Sequence, residues 1–184
     1  MAEVLSAPAE LTATTPGMID AAAAVTARRM HLPTPEAALE RLRVNDPTAL
    51  SYFRYELARQ VGELLLRYDR HVVALYEEQE VPDGEELAPP EISLHDPLRV
   101  YVLVEHATHA LDQLLAALDD ALTEALAARF GRPAARCLHA VVVEEAQAAL
   151  IRPRARGYRP RPALILSRET ASATSACSSG ATKS

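Results

Sequence analysis

VYVLVEHATHALD, Val100 to Asp112, is the stretch on which the fold turns, and it sets Glu105, His106 and His109 close together in a chain of six histidines. Asp96-Pro97 stands just before it. A cap oxygen followed by proline satisfies helical N–H groups that would otherwise lack partners, so this pair reads as a helix start. The expected helix runs over about residues 97–130, with Val100, Val104, Ala107, Leu111, Leu114, Leu118, Ala121 and Ala125 on one stripe. Gly131 is placed to end it, since glycine tolerates the left-handed conformation common there.

The same punctuation recurs upstream. Thr34-Pro35-Glu36 opens a short helix, and Asp46-Pro47 opens a long one expected over about residues 47–80. Leu50, Phe53, Leu57, Val61, Leu64, Tyr68, Val72 and Leu75 form its stripe. Two such helices, each roughly 50 Å long at 1.5 Å per residue, joined across EEQEVPDGEELAPP, predict an antiparallel helical hairpin. The fold class expected is therefore all-α, a helical bundle built on that hairpin.

Residues 1–17 read as a flexible arm, 18–152 as the bundle domain, and 153–184 as an Arg/Pro-rich arm with a disordered Ser/Thr/Ala tail. Within the bundle, Met18 to about His31 forms an alanine-rich helix whose methyl-lined face anchors it weakly. Pro133 starts a further helix to about Arg152, against which Val141–Val143 argue; residues 137–167 read alternatively as strands flanking an Arg/Pro turn.

Each long helix carries a second, thinner apolar stripe: Tyr52, Tyr55, Leu66 and Val73 on one, Leu98 and Val102 on the other. A lone hairpin would leave these in water. They are expected to meet the shorter helices and a second copy of the chain, which predicts a homo-oligomer.

A chain of 184 residues fits one domain with flexible ends. The residues are 49% hydrophobic but only 4% aromatic, with no Trp, so aliphatic side chains must fill the core. The net charge of −6 argues against a broad phosphate-binding face. Cys137 and Cys177 lack disulfide-framework or zinc spacing, no signal-peptide pattern opens the chain, and no apolar run is long enough for a membrane span. A cytoplasmic protein with no membrane partner is expected.

On a helix, Glu105 and His109 stand four residues apart and away from the main seam, where an imidazole and a carboxylate can share a metal or a proton. Glu56 and Glu63, seven apart on one flank of the preceding helix, are the natural carboxylate partners in a metal site, and a solvated face is the preferred account of that pair. His71 reads as a hydrogen-bonded structural histidine, and Arg67–His71 as intrahelical ion pairing. No Glu-x-x-His or His-Glu-x-x-His is present. The acidic run from Glu77 to Glu86 lacks calcium-loop spacing. Scattered glycines exclude phosphate-binding loops, and no Gly-x-Ser-x-Gly elbow exists. No cofactor is called for.

RPRARGYRPRP, Arg152 to Pro162, is the one basic feature. Arg154, Arg156, Tyr158, Arg159 and Arg161 suit docking on an acidic protein surface, contact with nucleic-acid phosphates and bases, a site-forming loop, or a plain linker. The leading expectation is a non-enzymatic self-associating assembly or adaptor module. The alternatives are a metal-binding bundle enzyme or metal store, and a nucleic-acid-associated regulator using the arginine arm.

Overall fold

Two of the three cap-proline pairs start helices, and the third does not. Thr34 caps α2 (Pro35–Arg43), its hydroxyl accepting from the Ala37 N–H. Asp46 caps α3 (Pro47–Tyr68), its carboxylate accepting from the Thr48 and Ala49 N–H groups. Asp96 instead accepts from the Ser93 N–H within a turn, and the chain then enters a strand. The computed structural model describes residues 7–79, 93–131, 136–150 and 161–169.

The elements, in chain order, are α1 (Ala7–Arg29), α2, α3, β1 (Val72–Gln79), β2 (Leu98–Val104), α4 (His109–Phe130), β3 (Leu138–Glu144), a 3₁₀ turn (Glu145–Leu150) and β4 (Arg161–Ser167). The strands form one mixed sheet in the order β3-β2-β1-β4. β1 runs antiparallel to both β2 and β4, whereas β2 and β3 are parallel and joined through α4. α3 packs on β1, β2 and β4, α4 packs on β3, and α1 lies across α3 and α4 as an outer layer.

The all-α bundle is thus overturned: each expected long helix is a strand fused to a helix. Leu98, Val100, Val102 and Val104 alternate along β2 and bury one face, a period of two that suits β-branched residues. Positions four apart share a side in a strand as well as in a helix, so Val100 and Val104 fit the helical stripe while belonging to a strand. α4 begins only after Thr108, whose hydroxyl accepts from the Leu111 N–H. In β1 a bulge between Val72 and Ala74 shifts the parity, placing Val72 and Leu75, three apart, in the same core. That spacing imitates a helix.

The helix expected from Pro133 is likewise corrected to strand: Leu138–Glu144 is β3, and its valines suit that state. β3 and β4 do not form a hairpin, because they occupy opposite edges of the sheet. α1 begins at Ala7, within the stretch expected to be an arm, and buries Leu11, Met18, Ile19, Ala22 and Ala23. Its methyl face anchors it firmly, since small side chains let it approach its neighbours closely. The Thr15 hydroxyl donates to the Ala121 carbonyl of α4 at 3.3 Å, and the Tyr68 hydroxyl donates to Glu10 at 2.7 Å.

The main core joins Phe53, Leu57, Val61 and Leu65 of α3 and Leu111, Leu118 and Leu122 of α4 to the helix-facing side of the sheet. Gly62 permits the contact: a β-carbon there would stand 3.3 Å from Leu75 Cδ2 and 3.4 Å from Leu166 Cδ2. Leu98 and Val102 are core residues, so that half of the second stripe is consumed by the sheet and not left for another copy. Tyr55 and Leu66 are half-buried against the same core. Tyr52 and Tyr55 both lie against the Arg29 guanidinium, at 5.4 and 5.5 Å from their ring centroids. Val73 joins a smaller cluster, with Ala74, Leu103 and Val143, on the sheet's other face.

Glu77 stands opposite Val100 in register, on the helix-covered face. Burial pushes its carboxyl pKa up, against the lowering pull of Arg54. Because the folded pKa lies above the unfolded one, the folded state holds the proton more tightly, and stability is lost as pH rises through the folded pKa. Glu77→Gln is therefore expected to raise the melting temperature at pH 7, with the gain vanishing below about pH 4, where the carboxyl is protonated in both states. Thermal denaturation at the two pH values checks this, and an unchanged or lower melting temperature at pH 7 counts against it. No helix among the described residues is long and apolar enough to cross a membrane.

Candidate functional site

Open α/β sheets place ligands at the carboxyl ends of their parallel strands, and here those ends are Val104 and Glu144. The loop after β2 carries Glu105 to Thr108, and the turn before β1 carries Asp69 to His71. The two are tied by the backbone, the Glu105 N–H donating to the His71 carbonyl at 2.9 Å. Asp69 fixes the turn by accepting from the His71 N–H at 2.8 Å, and its other oxygen accepts from the Thr108 hydroxyl at 3.3 Å. Glu144 accepts from the Ala107 N–H at 2.9 Å. The Arg168 guanidinium donates to the carbonyls of Val72 and Asp69.

His71 Nδ1 lies 3.4 Å from Glu105 Oε2, and the His71 and His106 ring centroids are 6.1 Å apart. Glu105 and His106 are exposed. His109 is separate, at the first turn of α4, with Nε2 3.1 Å from Gln113 Nε2. The helical Glu105–His109 pair is therefore corrected: Glu105 is a loop residue and meets His71 instead. The ion pairing expected within Arg67–His71 is also not intrahelical, because α3 stops at Tyr68.

Glu56 and Glu63 lie elsewhere, on the wall of a groove of about 580 Å³ between α3, the second half of α1 and the α1–α2 connection. Neither Glu105 nor His109 lines that groove, so the four residues proposed as metal ligands do not converge. The solvated account fails for Glu56, which is 3% exposed. Both of its oxygens accept from Arg59, whose guanidinium also reaches Glu63. The hydrogen bonds it donates to Glu56 hold the Arg59 guanidinium pKa above its ordinary value. Ala21, Ala24, Val25, Leu32, Pro33 and Pro35 make the rest of the wall mainly apolar.

Among the described residues no three His, Cys, Asp or Glu side chains stand where they could hold a metal ion. Every buried side-chain nitrogen or oxygen among them has a hydrogen-bond partner. The carboxyl-edge polar groups chiefly join turn, loop and helix start, and the His71–Glu105 pair is a surface interaction worth at most about 1 kcal/mol.

The remaining feature is apolar. In register across all four strands, on the face turned away from α3 and α4, stand Val141, Tyr101, Tyr76 and Leu164. Val141 is 40% and Leu164 51% exposed. The 3₁₀ turn covers only part of this face, lying against β2 and β3 with Ala148 packed on the Ala74–Leu103–Val143 cluster.

Sequence reasoning missed Arg59, although Glu56, Arg59 and Glu63 show the three- and four-residue spacing of a helical ion-pair ladder. The apolar row had no such signal, because its members come from four separate strands. Arg154, Arg156, Tyr158 and Arg159 lie outside the described residues, and Arg161 begins β4. The chain matches no protein-family model, and no curated protein or solved structure matches it either.

Proposed function

We propose that this protein is a non-enzymatic, cytosolic assembly module that associates with copies of itself through its sheet. The observation that carries the reading is the apolar row Val141–Tyr101–Tyr76–Leu164, with both end residues substantially exposed. A sheet face of this kind gains by excluding water against another surface, and such patches mark interaction sites on soluble proteins. The cytosolic assignment rests on two cysteines without disulfide-framework spacing.

Light scattering coupled to size-exclusion chromatography tests the reading. The wild-type chain is expected to form a dimer or a larger closed assembly at micromolar concentration. Val141→Asp places a charge at the row's β3 end and is expected to shift the population to monomer while leaving the melting temperature nearly unchanged, as the site is surface-exposed. A wild-type chain that stays strictly monomeric sinks the proposal.

A further inference from the structure

We propose that two copies join edge to edge through β3, antiparallel and centred on Val142, making one eight-stranded sheet. This deepens the self-association reading and rests on it. β3 ends the sheet, with β2 on one side and no strand on the other among the described residues. Its hydrogen-bond parity follows from the ladder. Leu98 is in register with Leu138 and donates to the Cys137 carbonyl at 2.8 Å. In a parallel ladder this directs the odd-numbered backbone groups of β3 toward β2. The even-numbered groups of β3 therefore point outward.

The outward N–H of Leu138 is occupied, donating to Asp119 Oδ1 at 2.8 Å. The outward donors beyond it are Ala140, Val142 and Glu144, a set symmetric about Val142. A two-fold axis at Val142 pairs Val142 with its own copy and Ala140 with the partner's Glu144, so every one of these donors finds a carbonyl. A two-fold perpendicular to a sheet requires facing residues of equal parity, because they must share a face. This register obeys that rule. It also sets Val141, 40% exposed, beside Val143 of the second copy on the apolar face.

Both edges are flanked by charge, β3 by Arg136 and Glu145, but only the opposite edge carries a proline. β4 contains Pro162, starts at Arg161 and is followed by Arg168. Proline is a usual means of preventing edge pairing. β3, reading LHAVVVE, contains neither proline nor lysine.

Hydrogen–deuterium exchange of the full-length protein across a dilution series, together with light scattering of Val142→Pro, tests the pairing. Proline at an outward-facing edge position leaves the β2–β3 ladder intact while removing the central donor from each copy. The expected result is slow exchange at Ala140, Val142 and Glu144 that becomes fast on dilution, and association weakened about tenfold or more by the substitution, since each hydrogen bond contributes about 0.5–1.5 kcal/mol. A dimer whose three amides exchange as fast as in the monomer overturns the edge pairing and leaves self-association standing. So does a folded Val142→Pro that dimerises like wild type. Should that variant fail to fold, the wild-type exchange profile alone decides. A wild-type monomer at every concentration overturns both.

Discussion

Arg59→Ala is expected to destabilise the fold by about 2–3 kcal/mol, less than breaking a fully buried ion pair costs, because the Arg59 side chain is 34% exposed. Glu56 is 3% exposed, and Arg59 supplies the hydrogen bonds to both its oxygens. Without the guanidinium the carboxylate would be left, among the described residues, with Gln60 at 3.5 Å as its remaining side-chain donor. For a chain of this length each kcal/mol moves the melting temperature by about 2–4 °C, so a fall of about 8 °C is predicted. The double variant Glu56→Leu/Arg59→Met is expected to recover most of the loss, because replacing both partners by apolar groups removes the uncompensated charge. Glu63→Ala, at the exposed end of the ladder, is expected to cost under about 1 kcal/mol. Thermal or urea denaturation of the three variants checks the ordering. Equal losses at Arg59 and Glu63 would mean that burial of Glu56 does not govern this interaction.

Phe53→Ala carries the other large effect, a loss of about 3–5 kcal/mol. Phe53 is 1% exposed, and its ring meets the edge of Phe130 at 6.3 Å between centroids, inclined by 80°. These are the only two phenylalanines in the chain. Their contact fastens α3 to the end of α4, and truncation leaves a cavity that rigid aliphatic neighbours fill only in part. Phe53→Leu keeps most of the volume and is expected to cost much less. Urea denaturation distinguishes the two, and a Phe53→Ala loss below about 1 kcal/mol would be incompatible with the close packing of this core.

Much of the candidate site was hidden for reasons that particular residues make plain. Glu105 and His106 were singled out because imidazole and carboxylate cluster in sequence, but their neighbour His71 stands 34 positions before Glu105. Only the pairing of β1 with β2 brings them together. Arg59 could have been found from spacing alone; what spacing could not reveal is that Glu56 faces α1 and is buried. The apolar row across the sheet is legible only once strand order and register are known.

Sequence alone determined where α2 and α3 begin, through Thr34 and Asp46, and where α4 ends, through Gly131, whose φ of 91° suits glycine. Those signals are local: a cap oxygen acts within three residues, and a positive φ acts at one. Tertiary structure decided that Leu98–Val104 and Val72–Gln79 are strands, because a spacing of four fits both states and a bulge lets a spacing of three do the same. A strand acquires its hydrogen bonds only from neighbours distant in the chain, so the partner, and not the segment, settles its conformation.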